Sequence, residues 1–76
     1  MTTQIAISSP PDRSKLVAEI FFDRVQWAEL NQEHDTVQIE FYPRPDGRPW
    51  RISYRDAVDA LRLAKERLTG NNSGKR

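Results

Sequence analysis

The sequence predicts an α+β domain in which a four-stranded antiparallel meander is covered on one face by a single C-terminal helix. Two observations carry this prediction. Four short segments rich in β-branched and aromatic residues lie between residues 16 and 54, and one amphipathic segment follows them. Short polar or proline-rich stretches separate the four segments, which favours pairing of each strand with the next one along the chain. The expected element order is therefore ββββα, and 76 residues leave room for one domain.

The two ends of the chain are poor in core-forming residues. Residues 1–13 are rich in Ser, Thr and Pro, which predicts a flexible N-terminal arm, although Ile5 and Ile7 would also fit a short edge strand. Residues 70–76 are rich in Gly and Asn and are expected to form a disordered tail. The folded α+β domain is accordingly predicted over residues 14–69.

The first hairpin is predicted from residues 16–22 and 25–30, joined by a two-residue turn at Asp23 and Arg24. With Phe22 opposite Val25, regular pairing places Ile20 opposite Trp27. One face, suited to contact the helix, would then carry Ala18, Ile20, Phe22, Val25 and Trp27. The opposite, outer face would carry an apolar surplus made of Val17, Phe21, Ala28 and Leu30.

The second hairpin is predicted from residues 36–42 and 50–54, which alternate apolar and polar side chains. The residues expected to point inward are Val37, Ile39, Phe41, Trp50, Ile52 and Tyr54. Between the strands, residues 44–47 (Arg-Pro-Asp-Gly) favour a type I turn with a left-handed Gly47. A four-residue loop keeps the apolar residues on one face by pairing Phe41 with Trp50 and Ile39 with Ile52.

A helix is expected from about Tyr54 to Leu68. Ser53 and Asp56 resemble a capping box at its start, and Gly70 favours a left-handed stop at its end. At 100° per residue the apolar stripe that should face the sheet consists of Ala57, Leu61, Ala64 and Leu68.

The chain offers few residues for catalysis or for holding a metal or cofactor. It has no Cys, and its single His, His34, lies in a polar turn between Glu33 and Asp35. Asp56 and Asp59 fit helix capping better than general acid–base chemistry, because the helix dipole favours their ionised forms. The expectation is no enzyme, no metal and no cofactor. The absence of cysteine and of an apolar run of ~20 residues predicts a cytoplasmic protein without a membrane span.

Apolar residues in unexpected places predict a protein-interaction surface. The outer-face residues Val17, Phe21, Ala28 and Leu30 have no predicted cover, and Leu63 lies on the polar side of the helix. The leading hypothesis is therefore a non-catalytic interaction module that binds a protein partner or a second copy of itself, as a homodimer.

Basic residues mixed with aromatic residues support an alternative, a nucleic-acid-binding module. The candidate residues are Tyr42, Arg44, Arg48, Arg51 and Arg55.

The run over residues 42–50, Y-P-R-P-D-G-R-P-W, followed by the helix A-V-D-A-L-R-L-A-K-E-R-L, resembles short uncharacterised bacterial proteins with a hairpin-plus-helix pattern. That resemblance covers about residues 19–68 and brings no function with it. The rhythm of the helix over residues 56–68 is also similar to that of HicB-type antitoxins, which implies a partner toxin that the chain would neutralise.

Overall fold

The computed structural model describes residues 1–34 and 36–70 and confirms the predicted fold class. The strands are β1 (Thr3–Ser8), β2 (Val17–Phe22), β3 (Val25–Asn31) and β4 (Gln38–Phe41), followed by helix α1 (Tyr54–Thr69). They form one antiparallel sheet in the order β1-β2-β3-β4, and α1 packs on one face. The tail predicted over residues 70–76 lies, beyond Gly70, outside the described residues.

The first strand falls within the stretch predicted to be a flexible arm, so that prediction is wrong for residues 3–8. β1 pairs with β2 along its whole length, from Thr3 opposite Phe22 to Ser8 opposite Val17. The backbone N–H of Asp23 also donates to the carbonyl of Thr2 over 2.8 Å. β1 forms because the free edge of β2 pairs with it along its whole length, and because Ile5 of β1 packs against the core.

The predicted strand over residues 50–54 does not form. Residues 50–53 are irregular, and Tyr54 begins the helix. Trp50 donates its Nε1–H to the carbonyl of Tyr42 over 2.8 Å and lies edge-on to Phe22, with ring centroids 6.5 Å apart. Pro43 and Pro49 lack N–H groups on both sides of the turn, so a hairpin ladder could not continue to its tip. The segment instead crosses from the sheet to the helix layer.

The turn within this segment is confirmed. The N–H of Gly47 donates to the carbonyl of Arg44 over 3.1 Å, and Gly47 has a φ of +78°. The expected pairs of Phe41 with Trp50 and Ile39 with Ile52 are absent, which leaves β4 at the edge of the sheet.

The hairpin between β2 and β3 has the predicted two-residue turn, with Asp23 and Arg24 both at positive φ, 51° and 71°. Phe22 lies opposite Val25 as expected, but the register then shifts between Ile20 and Phe21. A β-bulge at position 27 puts Ala28 opposite Ile20, and Leu30 consequently faces the helix. The assignment of Ala28 and Leu30 to the outer face is therefore wrong.

The helix begins as predicted, because the Ser53 hydroxyl accepts a hydrogen bond from the N–H of Asp56 over 3.0 Å. It ends at Thr69 without the predicted left-handed stop, since Gly70 has a right-handed φ of −81° and donates to the carbonyl of Glu66. Its fully buried positions are Ala60, Ala64 and Leu68. Tyr54, expected to face inward, is exposed.

The core lies between α1 and the first three strands. Its buried members are Ala18, Ile20, Phe22, Trp27, Ala28, Leu30, Ala60, Ala64 and Leu68. The helix contacts β2 most, then β1 and β3, and no Cα atom of α1 comes within 8 Å of a Cα atom of β4. The helix layer is thus narrower than the sheet, and β4 extends beyond its cover.

Candidate protein-interaction surface

An apolar strip is exposed where β4 extends beyond the helix. We define it as Ile39 and Phe41 of β4, Val37 just before β4, and Val58 and Leu61 of α1. Ile39 and Phe41 lie opposite the core residues Leu30 and Ala28, so they belong to the helix side of the sheet. They nevertheless keep 43% and 60% of their surfaces exposed, and Val58 keeps 41%. Folding alone does not bury these side chains.

The strip, except for Phe41, lines an open groove of about 470 Å³ between β4 and α1. The groove is lined by Leu30, Val37, Ile39, Val58 and Leu61, and its polar border is formed by Arg62 and Lys65. A continuous apolar surface bordered by charged residues is typical of a site where another protein binds.

The outward edge of β4 is unpaired beside this groove. The N–H of Tyr42 donates to the carbonyl of Trp27 over 2.9 Å, in the same register that pairs Glu40 with Glu29 and Gln38 with Asn31. Because inward and outward groups alternate along an antiparallel strand, the N–H and C=O groups of Ile39 and Phe41 point away from β3. No hydrogen bond to these outward groups occurs within residues 1–34 and 36–70.

The opposite edge of the sheet, β1, is partly blocked. The Nη1 of Arg67, from the last turn of α1, donates to the carbonyl of Ile5 over 3.4 Å. Edge strands with free donors and acceptors pair readily with other chains, so β4 is the more available edge.

The outer face of the sheet is covered by the chain itself. Arg13, from the connection between β1 and β2, places its Nη2 2.8 Å from Glu29 and 2.7 Å from Glu40. The Tyr42 hydroxyl can donate to either carboxylate, at 3.3 Å and 3.4 Å. Burial, followed by the two neighbouring negative charges, raises the pKa of Tyr42 to about 12. A mutually satisfied polar network therefore occupies the face that was expected to be bare and apolar.

The predicted interface residues are accordingly separated by the fold. Val17 is fully buried on the outer face, and Ala28 and Leu30 are buried in the core, so these three offer no docking surface. Phe21 stays on the outer face but is half-buried. Leu63 is exposed on α1, as expected.

The sequence-based reasoning missed Ile39, Phe41 and Val58 as surface residues, because it supplied β4 with a neighbouring strand over residues 50–54. The signal that could have exposed them is the pair of prolines, Pro43 and Pro49, on either side of the turn. A strand that cannot pair beyond these prolines remains at the edge, and its apolar side lies beyond a single helix.

Among the nucleic-acid candidates, Arg44, Arg48 and Arg51 come together around an open depression of about 350 Å³. The Arg44 guanidinium lies 5.3 Å from the Trp50 ring centroid and pairs with both carboxylate oxygens of Asp46, at 3.0 Å and 2.8 Å. The remaining two candidates lie apart from this depression. Tyr42 is held by the acidic network, and the exposed Arg55 lies 3.9 Å from Asp59.

The described part of the chain has neither a metal-binding cluster nor a helix suited to span a membrane. His34 is exposed, and no group of three metal-ligating side chains occurs within residues 1–34 and 36–70. In the same residues, no helix has the length and apolar character needed to cross a membrane.

Comparison with family models, with curated proteins and with solved structures found no match for this chain.

Proposed function

We propose that this chain is a non-catalytic protein-interaction module that binds its partner through the apolar strip and the free edge of β4. The single observation that carries the proposal is the exposure of Ile39 and Phe41 beside their own outward backbone groups, which have no hydrogen-bond partner among the described residues. The absence of cysteine is compatible with a reducing compartment, so a cytoplasmic location forms part of the proposal.

A polypeptide satisfies both requirements of this surface at once. An added strand supplies acceptors and donors for Ile39 and Phe41, and its side chains on the helix side cover the strip. Burial of apolar surface contributes roughly 25 cal/mol per Å², so side chains as large as Ile39 and Phe41 add appreciable affinity when covered. A small molecule would cover the groove but leave the strand edge unpaired.

Photo-crosslinking tests this function directly. Phe41 is replaced by benzoylphenylalanine, which preserves an aromatic side chain in the strip, and the chain is irradiated inside cells of its source. Gln4, exposed on the far strand β1, receives the same group as a control. The proposal predicts a discrete protein adduct, with the same chain or a different one, from position 41 and not from position 4. Absence of any adduct from position 41 would overturn it.

Nucleic-acid binding is the second candidate function, and one observation favours it. Arg44, Arg48 and Arg51 line one depression, and neither Arg48 nor Arg51 forms an ion pair within the described residues. Three guanidinium groups in such an arrangement suit contact with phosphates. This hypothesis predicts binding of mixed-sequence oligonucleotides that weakens steeply with salt and is lost in Arg48→Gln/Arg51→Gln. No binding at low salt excludes it.

A further inference from the structure

We propose that the occupant of the strip is a second copy of this chain, whose β4 pairs antiparallel with β4 around a two-fold axis. This inference rests on the proposed function and names its partner. It follows from which backbone groups of β4 are free, which side chains flank them, and which pairing register satisfies both.

The free backbone groups restrict the register. Only Ile39, Phe41 and, by continuation of the alternation, Val37 direct their N–H and C=O groups away from β3. A symmetric pairing in which Phe41 lies opposite one of these three residues can be centred on Ile39, on Glu40 or on Phe41. Centring on Phe41 would place Ile39 opposite Pro43, which has no N–H to donate. That register loses hydrogen bonds at both ends.

The side chains distinguish between the two remaining registers, centred on Glu40 and on Ile39. Centring on Glu40 places the Glu40 carboxylates of the two copies directly opposite each other, which is destabilising. Centring on Ile39 places Ile39 opposite Ile39, Val37 opposite Phe41, and Gln38 opposite Glu40. All apolar residues then meet on the helix side, and the polar residues meet on the outer side. In this register apolar side chains lie opposite apolar ones, polar side chains lie opposite polar ones, and no like charges lie opposite each other.

The symmetry explains why the strip is bare in one copy. An axis perpendicular to the sheet leaves both helices on the same side of one continuous eight-stranded sheet. The two β4 strands then lie side by side, so Ile39 of each copy meets Ile39 of the other, and Phe41 meets Val37. A two-fold interface requires one patch to complement itself, and an apolar strand edge meets that requirement. The partly blocked β1 edge does not compete for this role.

Light scattering after size-exclusion chromatography tests whether the partner is a second copy of the chain. Matched variants at the two edges of the sheet provide the comparison. Ile39 and Ile7 are both isoleucines on edge strands, with 43% and 40% of their surfaces exposed. One chain has a mass of 8.9 kDa, and the wild type should have twice this mass at high concentration. Ile39→Lys should give the single-chain mass because it places two like charges at the axis, and Ile7→Lys should behave as the wild type.

Two substitutions of Gln38 test the register. Gln38→Lys places opposite charges across from Glu40 at two symmetric positions and should tighten the dimer, whereas Gln38→Glu should weaken it. If the two variants dissociate at the same concentration as the wild type, the register centred on Ile39 is wrong.

A wild type that keeps the single-chain mass up to millimolar concentration would overturn the second copy as partner. An adduct from position 41 with a different protein would then leave the proposed function intact. Absence of both the dimer and any adduct would remove the two proposals together. Circular dichroism of each variant establishes that a loss of mass reflects dissociation of folded chains.

Discussion

Ile20 of β2 lies opposite Ala28 of β3, with Trp27 inserted as an extra residue in the strand. Because side chains alternate along a strand, this one insertion transfers Leu30 and Ala28 from the outer face to the core. Phe21, before the shift, stays on the outer face. The bulge therefore determines which apolar residues stabilise the fold and which remain available to a partner.

The bulge predicts unequal effects for two large side chains that regular pairing would place on the same face. Leu30→Ala should lower the free energy of unfolding by roughly 2–5 kcal/mol, since it opens a cavity in the core. Phe21→Ala removes a half-buried side chain outside that core and should have a clearly smaller effect. Urea unfolding followed by circular dichroism measures both. Equal losses would contradict the observed register.

The hairpin turn offers a stabilising substitution. Arg24 has a φ of 71°, a conformation that glycine adopts at little steric cost. Arg24→Gly should raise the free energy of unfolding, by about 0.5–1 kcal/mol on the scale of such backbone effects. Gly47→Ala should have the opposite effect and lower the free energy of unfolding. Gly47 has a φ of +78° and nothing lies within 4 Å of an added Cβ, so the effect would come from backbone strain and not from a steric clash. Thermal unfolding of the two variants should shift in opposite directions.

The alkaline pH dependence should report the network on the outer face. The pKa of Tyr42 is raised from 10.0 to about 12, so its neutral form is favoured in the folded chain. Its contribution to stability is complete below pH 10 and is lost as the pH rises through 12. In a Tyr54→Phe background, where Tyr42 is the only tyrosine, absorbance at alkaline pH should show a midpoint near 12. A midpoint near 10 would show that the carboxylates and the surrounding chain do not act on this hydroxyl.

The sequence was sufficient to predict local elements whose signals lie within a few residues. The turns at residues 23–24 and 44–47, and the start of the helix at Ser53, follow from backbone preferences and side-chain capping alone. The class of fold was also correctly predicted. These features depend on short-range chemistry.

Two non-local features could not be predicted from the same signals. Residues 3–8 and residues 50–54 could each have provided the fourth strand, by pairing with β2 or with β4. In the structure residues 3–8 pair with β2, and β4 has no further strand beside it. The bulge at Trp27 depends on how a bulky ring packs between Phe22 and Phe41, at centroid distances of 5.0 Å and 5.4 Å. Neither packing event has a marker at a fixed spacing in the sequence.

Amide hydrogen exchange of β4, followed by NMR at increasing protein concentration, tests the central claim most directly. In the single chain the amides of Ile39 and Phe41 face outward and should exchange fast, whereas those of Glu40 and Tyr42 bond to β3 and should exchange slowly. The account predicts that Ile39 and Phe41 become protected as the concentration rises, with no change at Ile7 on β1. Fast exchange at Ile39 and Phe41 at every concentration would contradict pairing through this edge.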